Sequence, residues 1–425
     1  MPRRQDAAQA TPARNRHLSV AVATMAAASL IVLAGCSGPS VPPPSGDFPD
    51  ALPDAAFKAR IEDSVTALSF SDGDLWPNCW SDDDAVYAAN GDGSGFGTEF
   101  FDIAMNRITG SPADSRGVEG EVLVGGDELG QIWSGPGFTR KPTGMLCVDG
   151  TIYLAVQDLR LDFNEAPVAT IARSDDHGLT WEWEPVTPMF DNNVFTTVFF
   201  ADFGKDSQHA PDGWAYAYGL DGNWRDSFDD SVPDPTELFL ARVPTSSVQD
   251  RTTWEFYTGT AGDEPTWSTD IAKKQPVLVD ERRAHPSDPT ATVGEPAAPG
   301  TADLSVISQG GVTYIPALDR YIYTSWTELT FEFYESANPW GPFTLFLSED
   351  FGPYPWSEAR FGGYGTTIPS KYVSDDGLTI TYANVWPGAD LRYRMRNTSL
   401  KEEIVIKAAE APASVQPRRV RPSAA

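Results

Sequence analysis

Between Asp72 and Gly93 the chain reads DGDLWPNCWSDDDAVYAANGDG, six aspartates and two tryptophans in 22 residues. Two carboxylates can cleave a glycosidic bond when one holds a proton and the other is ionised. The acid protonates the leaving oxygen while its partner activates water or attacks the sugar carbon. A flat indole suits the apolar face of a sugar ring. A solvated acidic loop leading into an ordinary strand is the competing reading.

Asp74 precedes a strand expected to start near Ala85, and Asp92 follows that strand. A reversal between them returns both carboxylates to one place, which makes them the leading acid/base pair. Either aspartate has turn capping as its alternative, because Asp-Gly and Gly-Asp-Gly are common turn sequences. Asp83 is the third catalytic candidate, since alternation from Ala85 to Ala89 can carry one member of the Asp82-Asp83-Asp84 run inward. Trp76, Trp80, Trp224 and Trp340 are candidate sugar platforms, although most of the 13 tryptophans must pack in the core. Arg140 and Lys141, placed in a loop, are candidate donors to sugar hydroxyls, with a solvated basic pair as the alternative. Asp158 and Asp202 end strands; tuning of a neighbouring carboxyl by like-charge repulsion is one reading, and a surface role is the favoured one.

No metal site is expected. Of the four histidines, His17, His177, His209 and His285, none forms a ligand pair at helical or strand spacing. No Asp-x-Asp-x-Asp-Gly loop with a distal Glu appears, so a structural calcium stays open without a motif to carry it. No cofactor is implied.

The N-terminus carries its own chemistry. Arg3, Arg4, Arg14 and Arg16 precede an apolar run from Leu18 to Leu33, and Leu33-Ala34-Gly35-Cys36 closes it. This resembles a bacterial lipoprotein signal peptide, with residues 1–35 removed and Cys36 lipidated. A retained membrane helix is the alternative, but about 16 apolar residues are short for a bilayer. Removal loses four arginines and one aspartate, taking the formal charge from −29 to −32. Such acidity repels phosphate backbones and anionic headgroups. Nucleic acid is therefore excluded as a partner, and membrane contact is left to the lipid. The expected location is the outer face of the cytoplasmic membrane or the cell envelope, as a monomeric lipoprotein. Cys79 and Cys147 remain, and in an oxidising compartment they form a disulfide or stay as two buried thiols.

These groups need a scaffold. Residues 36–65 read as a lipidated end and Pro-rich linker, 66–407 as one folded body with a surface insertion near 260–300, and 408–425 as a mobile tail. Short β-branched and aromatic runs dominate the body, at Ala85–Ala89, Ile152–Val156, Val168–Ala172, Val194–Phe200, Trp214–Tyr218, Leu238–Val243, Thr253–Tyr257, Val312–Pro316, Arg320–Ser325, Phe343–Leu347, Leu378–Ala383 and Leu391–Met395. Ser174-Asp175-Asp176-His177-Gly178-Leu179-Thr180-Trp181 fits the aspartate box of propeller hairpins, a turn-capping device with no catalytic content, and Ser348-Glu349-Asp350-Phe351-Gly352 is a degenerate echo. Five strand groups predict an all-β chain folded as a single five-bladed β-propeller. A six-bladed ring or a pair of sandwiches is the alternative.

Several segments, taken in order, resemble one family. They are Asp74-Leu75, Gly91-Asp92-Gly93, Lys141-Pro142-Thr143-Gly144 before VDGTIYLAV, Phe203-Gly204-Lys205-Asp206, Leu240-Ala241-Arg242-Val243-Pro244 and Pro339-Trp340-Gly341-Pro342. Together they resemble a bacterial five-bladed propeller family, long a domain of unknown function, that includes endo-D-arabinanases. The resemblance implies hydrolysis of arabinofuranosidic linkages in D-arabinan or a related cell-envelope polysaccharide. This chain departs from the commoner pattern in Trp76, where Gly is frequent, and in the extra Ser81–Asp84 run. A non-catalytic carbohydrate-binding or scaffold propeller is the competing function. Sialidase ranks below both, because the aspartate box alone suggests it.

Overall fold

The structure, a computed structural model, describes residues 52–63, 71–112, 116–227, 231–284, 304–327, 330–350, 365–387 and 395–408, all within one unit, Pro43–Ala425. The leader, Cys36, residues 285–303 including His285, and the tail from residue 409 lie outside the described residues. Among those described, no helix is long and apolar enough to cross a membrane.

The described chain is all-β, with only 3-10 turns between strands. In order the strands are β1 (Phe57–Asp63), β2 (Asp72–Asp74), β3 (Asn78–Trp80), β4 (Val86–Gly95), β5 (Phe101–Gly110) and β6 (Val118–Gly125). Then come β7 (Phe138–Val148), β8 (Thr151–Arg160) and β9 (Ala169–Ser174). Next are β10 (Thr197–Asp202), β11 (Trp214–Leu220), β12 (Glu237–Pro244), β13 (Glu255–Ala261), β14 (Glu264–Ser268) and β15 (Pro276–Val279). The chain closes with β16 (Arg283–Ala284), β17 (Leu304–Ser305), β18 (Gly311–Ile315), β19 (Arg320–Trp326), β20 (Thr330–Ser336), β21 (Thr344–Asp350), β22 (Thr379–Pro387) and β23 (Met395–Ala408).

Consecutive strands pair antiparallel within each group, and β10 pairs parallel with β18 to join two groups. The first strand, β1, pairs with the last, β23, from Phe57↔Ala408 to Asp63↔Glu402. The apolar core is divided to match. One cluster gathers Tyr87, Met105, Met145, Leu154 and Trp181 between β4–β5 and β7–β9. A second holds Leu146, Tyr153, Phe200, Trp254 and Phe256 between β7–β9 and β10–β13. The third lies between β10–β12 and β18–β20, with Phe199, Tyr218, Leu240, Tyr323 and Tyr334. A fourth takes in Phe57, Trp76, Trp326, Phe333 and Ile380. Because both faces of the middle sheets meet another sheet, their strands are buried almost continuously, as in β8 and β10.

Three expectations are corrected here. The stretch to residue 65 is not all linker, since Phe57–Asp63 is a paired strand. The section near 260–300 is not wholly a surface insertion: Glu264–Ser268 pairs with β13 and Pro276–Val279 with β12. Strands β5, β6, β7 and β20 gave no clear sequence signal, while β7 runs through Lys141-Pro142 by shifting register between Pro142 and Gly144. Residues 391–394 of the last expected strand lie outside the described residues.

The aspartate-box turn makes the capping bonds its residues suggest. Gly178 N donates to Ser174 Oγ at 2.8 Å, Thr180 N to Asp176 Oδ1 at 2.9 Å, and Trp181 Nε1 to Gly178 O at 3.0 Å. The echo at residue 348 is no such turn, because Ser348–Asp350 ends β21. A second turn of this kind is Ser374–Thr379, where Leu378 N donates to Asp376 Oδ1 and Thr379 N to Ser374 Oγ. A disulfide joins Cys79 on β3 to Cys147 on β7, with Cα atoms 5.5 Å apart.

Candidate active site

The strands have two common ends. At the upper end lie Asp92 near the end of β4 and the starts of β7 and β10. At the lower end lie the Asp82–Asp84 run, the β7–β8 turn and the end of β10. The contacts that set this alignment are Lys141 to Asp92, Thr143 Oγ1 to Val198 O, and Gly150 N to Asp206 Oδ1.

Asp74 is brought to the upper end, opposite the residue before Asp92, because β2 pairs antiparallel with β4, Asp74 opposite Gly91. Gly91 has a steric reason to be glycine. A Cβ there would sit 2.4 Å from Asp74 Oδ1 and 3.3 Å from Lys141 Cδ, so its absence lets the carboxylate and the lysine stem approach one backbone position. Lys141, only 2% exposed, forms an ion pair with Asp92 Oδ1, and its Nζ also donates to Asp102 O at 3.4 Å. The Asp92 side chain keeps 41% exposure, whereas Asp74 is buried. A buried ammonium needs a countercharge, and here that charge stands partly in solvent.

The backbone around this pair is unusual. Leu75, Trp76 and Asp92 have φ of 69°, 45° and 35°, in the left-handed region. Each such conformation costs on the order of 1–3 kcal/mol for a side-chain-bearing residue and persists only where its surroundings enforce it. Strain of this kind gathers at functional sites more than in ordinary strands.

Neighbouring groups brace the pair. Arg140 is buried between Asp102 and Asp127, each at 2.7 Å, and donates to Gly130 O at 2.6 Å. Opposite it on β8, Asp158 is fully buried and accepts from Ser134 N at 2.6 Å. Burial pushes the Asp158 carboxyl above the usual carboxylate range despite the Ser134 bonds and nearby Arg140. Gln157, opposite Lys141, accepts from Thr197 Oγ1 at 2.8 Å. Gln309 donates from Nε2 to Pro142 O at 2.9 Å and from its backbone N to Trp224 O. Polar side chains from β7, β8, β10 and the approach to β18 are thus buried in separate hydrogen-bonded pairs around the start of β7.

Other expected site residues fall elsewhere. Asp83 belongs to the lower end, separated from Asp92 by β4, a span of roughly 20 Å at strand rise. It binds Arg107 at 2.9 Å and accepts from Tyr87 Oη and Ala85 N at 3.0 Å. Burial raises Asp83, but the bonds from Ala85, Arg107 and Tyr87 outweigh it and hold the carboxyl below its ordinary range. Trp76 is 3% exposed and packs edge-on against Phe96, while Trp224 is 2% exposed against Trp326. Neither offers a face to a sugar. Trp80 sits at the lower end, donating to Asp84 Oδ1. Trp340 packs against the third core cluster on the connection from β20 to β21, also at the lower end. Arg140 and Lys141 are strand residues with carboxylate partners, not solvated loop donors. Asp202, expected at the surface, accepts from Gly204 N at 2.8 Å and Ser370 N at 3.1 Å, and burial raises its carboxyl to about 6.

Asp82, Asp83 and His177 at the lower end have ligand atoms within 4.8 Å of one another and are the group of described residues that could hold a metal. All are already engaged, His177 with Asp82 at 2.8 Å and Asp83 with Arg107. Sequence reading missed Asp102, Gln157 and Gln309. Asp102 carries no local signature, because its role comes from Arg140, 38 positions away.

The molecule is an all-β chain with a buried Asp74 and a lysine-paired Asp92 at one end of its strands. Residues 81–295, half of the chain, match the family described as "Domain of unknown function (DUF4185)", and the chain belongs to that family. No curated protein matches it in sequence. Among solved structures it is similar to a GH43_1 enzyme from Xanthomonas citri, at 14% identity and TM-score 0.44, over 79% of this chain and 90% of that one. It is also similar to the GH93 alpha-L-arabinofuranosidase of Fusarium graminearum in complex with arabinobiose, at 10% identity and TM-score 0.37, over 81% and 98%. A glycosyl hydrolase from Bacteroides ovatus aligns at 11% identity and TM-score 0.38, over 83% and 88%. No residue role follows from likeness at this level.

Proposed function

We propose that this protein is an exported, lipid-anchored glycoside hydrolase that cleaves arabinofuranosidic linkages in D-arabinan or a related cell-envelope polysaccharide. The observation that carries the reading is the convergence of Asp74, Asp92 and Lys141 around Gly91. Asp74, the buried member, supplies the proton to the leaving oxygen. Asp92, matched by the Lys141 ammonium and partly open to solvent, acts as the ionised base or nucleophile. The substrate class rests on the family resemblance of the motifs around these residues, and the anchor on the Leu-Ala-Gly-Cys leader.

The scaffold is read as a five-bladed propeller. Its support is the succession of antiparallel groups β2–β6, β7–β9, β10–β13, β18–β21 and β22–β23, with β1 completing the last group and so tying the two ends of the chain together. The sectored core agrees with that reading. A non-catalytic sugar-binding role is the second reading, favoured by the ion pair that already occupies Asp92.

Incubation of the purified chain with arabinogalactan, followed by chromatography of released oligosaccharides, separates the two. Products from the native protein that vanish with Asp92→Asn are expected. Binding without products would leave only the second reading. Mass spectrometry of membrane-extracted protein should find Cys36 lipidated at the N-terminus; an unlipidated chain starting before Cys36 would remove the anchor.

A further inference from the structure

The Asp92–Lys141 pair is one half of a double arrangement. In the β4–β5 hairpin Gly91 pairs with Ile103 and Gly93 with Phe101, so Asp92 and Asp102 stand opposite each other on neighbouring strands. Like charges directly opposite in a sheet destabilise it, and with Cα atoms roughly 5 Å apart one cation can serve either carboxylate. Two consecutive residues of β7 answer the two aspartates. Lys141 pairs with Asp92 Oδ1, and Arg140 Nε donates to Asp102 Oδ2 at 2.7 Å.

The two cations are held very differently. Lys141 Nζ donates to Asp102 O at 3.4 Å as well as pairing with Asp92, so the ammonium already touches both aspartate residues. An ammonium is a compact charge on a flexible stem and can change partners by a small rotation. Arg140 has no such freedom. Its guanidinium is fixed by Asp102, by Asp127 Oδ1 at 2.7 Å and by Gly130 O at 2.6 Å, three acceptors around one planar fork. The Asp102 side chain is 25% exposed against 41% for Asp92, so the Asp102 carboxylate, less screened by water, is the stronger attraction for a free cation. Arg140 already occupies it.

We propose that Arg140 is a positioning residue of the candidate site: by holding the Asp102 carboxylate, it keeps Lys141 on Asp92. Arg140 and Asp102 act through the lysine and not on substrate. Without Arg140, the Asp102 carboxylate takes the ammonium, and Asp92 loses the charge that fixes it. The kinetic consequence rests on the glycoside hydrolase reading above; the exchange of partners does not.

The test is steady-state hydrolysis of arabinogalactan by the full-length chain in detergent, with Arg140→Met, Asp102→Asn and the two together. Methionine keeps an apolar stem and removes the guanidinium, so kcat should fall by about ten- to a hundredfold, the cost of a misplaced catalytic group, with KM nearly unchanged. Adding Asp102→Asn removes the rival carboxylate and should return kcat to within about threefold of native. A merely structural role predicts the reverse, a double variant no better than Arg140→Met. That result, or native kcat in Arg140→Met, overturns the proposal while leaving the hydrolase reading intact. Asp102→Asn alone should stay near the native kcat, because Arg140 keeps Asp127 and Gly130 and the lysine has no second carboxylate to take. Should Arg140→Met fail to fold, Arg140→Gln replaces it, and a large loss of kcat in Asp102→Asn overturns the proposal by itself.

A second measurement needs no turnover. In urea unfolding, Asp92→Asn strips the buried lysine of its countercharge, but in an Arg140→Met background Asp102 can supply one, so the stability lost to Asp92→Asn should be smaller there. Equal losses in the two backgrounds overturn the exchange. Smaller losses in Arg140→Met, from a native protein that releases no products, support the exchange and remove only the hydrolase reading.

Discussion

The two ends of β4 carry nearly the same chemistry in composition and very different chemistry in structure. The lower end holds Asp82, Asp83 and Asp84 in succession, with His177 and Asp206 nearby. Each of its acids is used locally: Asp82 faces His177, Asp83 holds Arg107 and caps Ala85, and Asp84 meets Trp80, Lys205 and Lys371. These are surface ion pairs and turn bonds, individually worth little. At the upper end the partner of Asp92 is a buried lysine, and a glycine is required by close approach; left-handed backbone does not separate the ends, since Asp84, His177 and Asp206 adopt it as Leu75, Trp76 and Asp92 do. Acid count does not mark a site. What marks it is charge held against burial.

The sharpest way to break this contrast is turnover. Asp92→Asn and Asp74→Asn should each lower kcat by about 10²–10⁴, the usual worth of general acid–base catalysis, while Asp83→Asn stays near the native rate. Released oligosaccharide measured per unit time checks all three. A large loss with Asp83→Asn alone would exchange the roles of the two ends.

Stability separates the ends next. Asp92→Asn leaves the Lys141 ammonium buried without its countercharge, and a loss of roughly 3 kcal/mol is expected by analogy with other broken buried pairs, reduced to the extent that solvent reaches Asp92. Adding Lys141→Met should recover most of that stability in urea unfolding without recovering turnover. Recovery of activity along with stability would make Asp92 a structural residue.

A third measurement uses pH. The Asp202 carboxyl is raised by burial from 3.8 to about 6, so between those values the folded state holds a proton that the unfolded state has lost. Stability from this group is therefore greatest below about pH 4 and falls as pH rises toward 6, with a slope of at most about 1.4 kcal/mol per pH unit. Asp202→Asn should flatten that slope in denaturant titrations taken across the window. An unchanged slope would place the titration elsewhere.

The smallest effect belongs to the acidic run itself. Asp83→Asn should cost about 1 kcal/mol or less, since Arg107 and Asp83 are both partly exposed and screened. Comparison of urea midpoints at low and high salt checks it, with the difference shrinking as salt rises.

Much of this molecule was legible where the determining contacts are close in sequence. The all-β character follows from short β-branched and aromatic runs that need only their own alternation. The aspartate box was readable because Ser174, Asp176, Gly178 and Thr180 bond one another across four residues. The pairing of Asp74 with Gly91, next to Asp92, was legible because a reversal over this short stretch can be inferred from turn and strand patterns. The failures concern long-range burial. Trp76 and Trp80 are four positions apart and look alike in sequence, yet sheet stacking puts one in the core and leaves the other beside surface lysines. Lys141 and Arg140 resemble any solvated basic pair until β7 is laid against β4 and β5, which brings them to Asp92 and Asp102 across 49 and 38 positions. Turn chemistry and strand propensity are local energies and so are written in the sequence; which side chains lose water, and which charges then need each other, depends on which sheet faces which, and only the tertiary structure decides that.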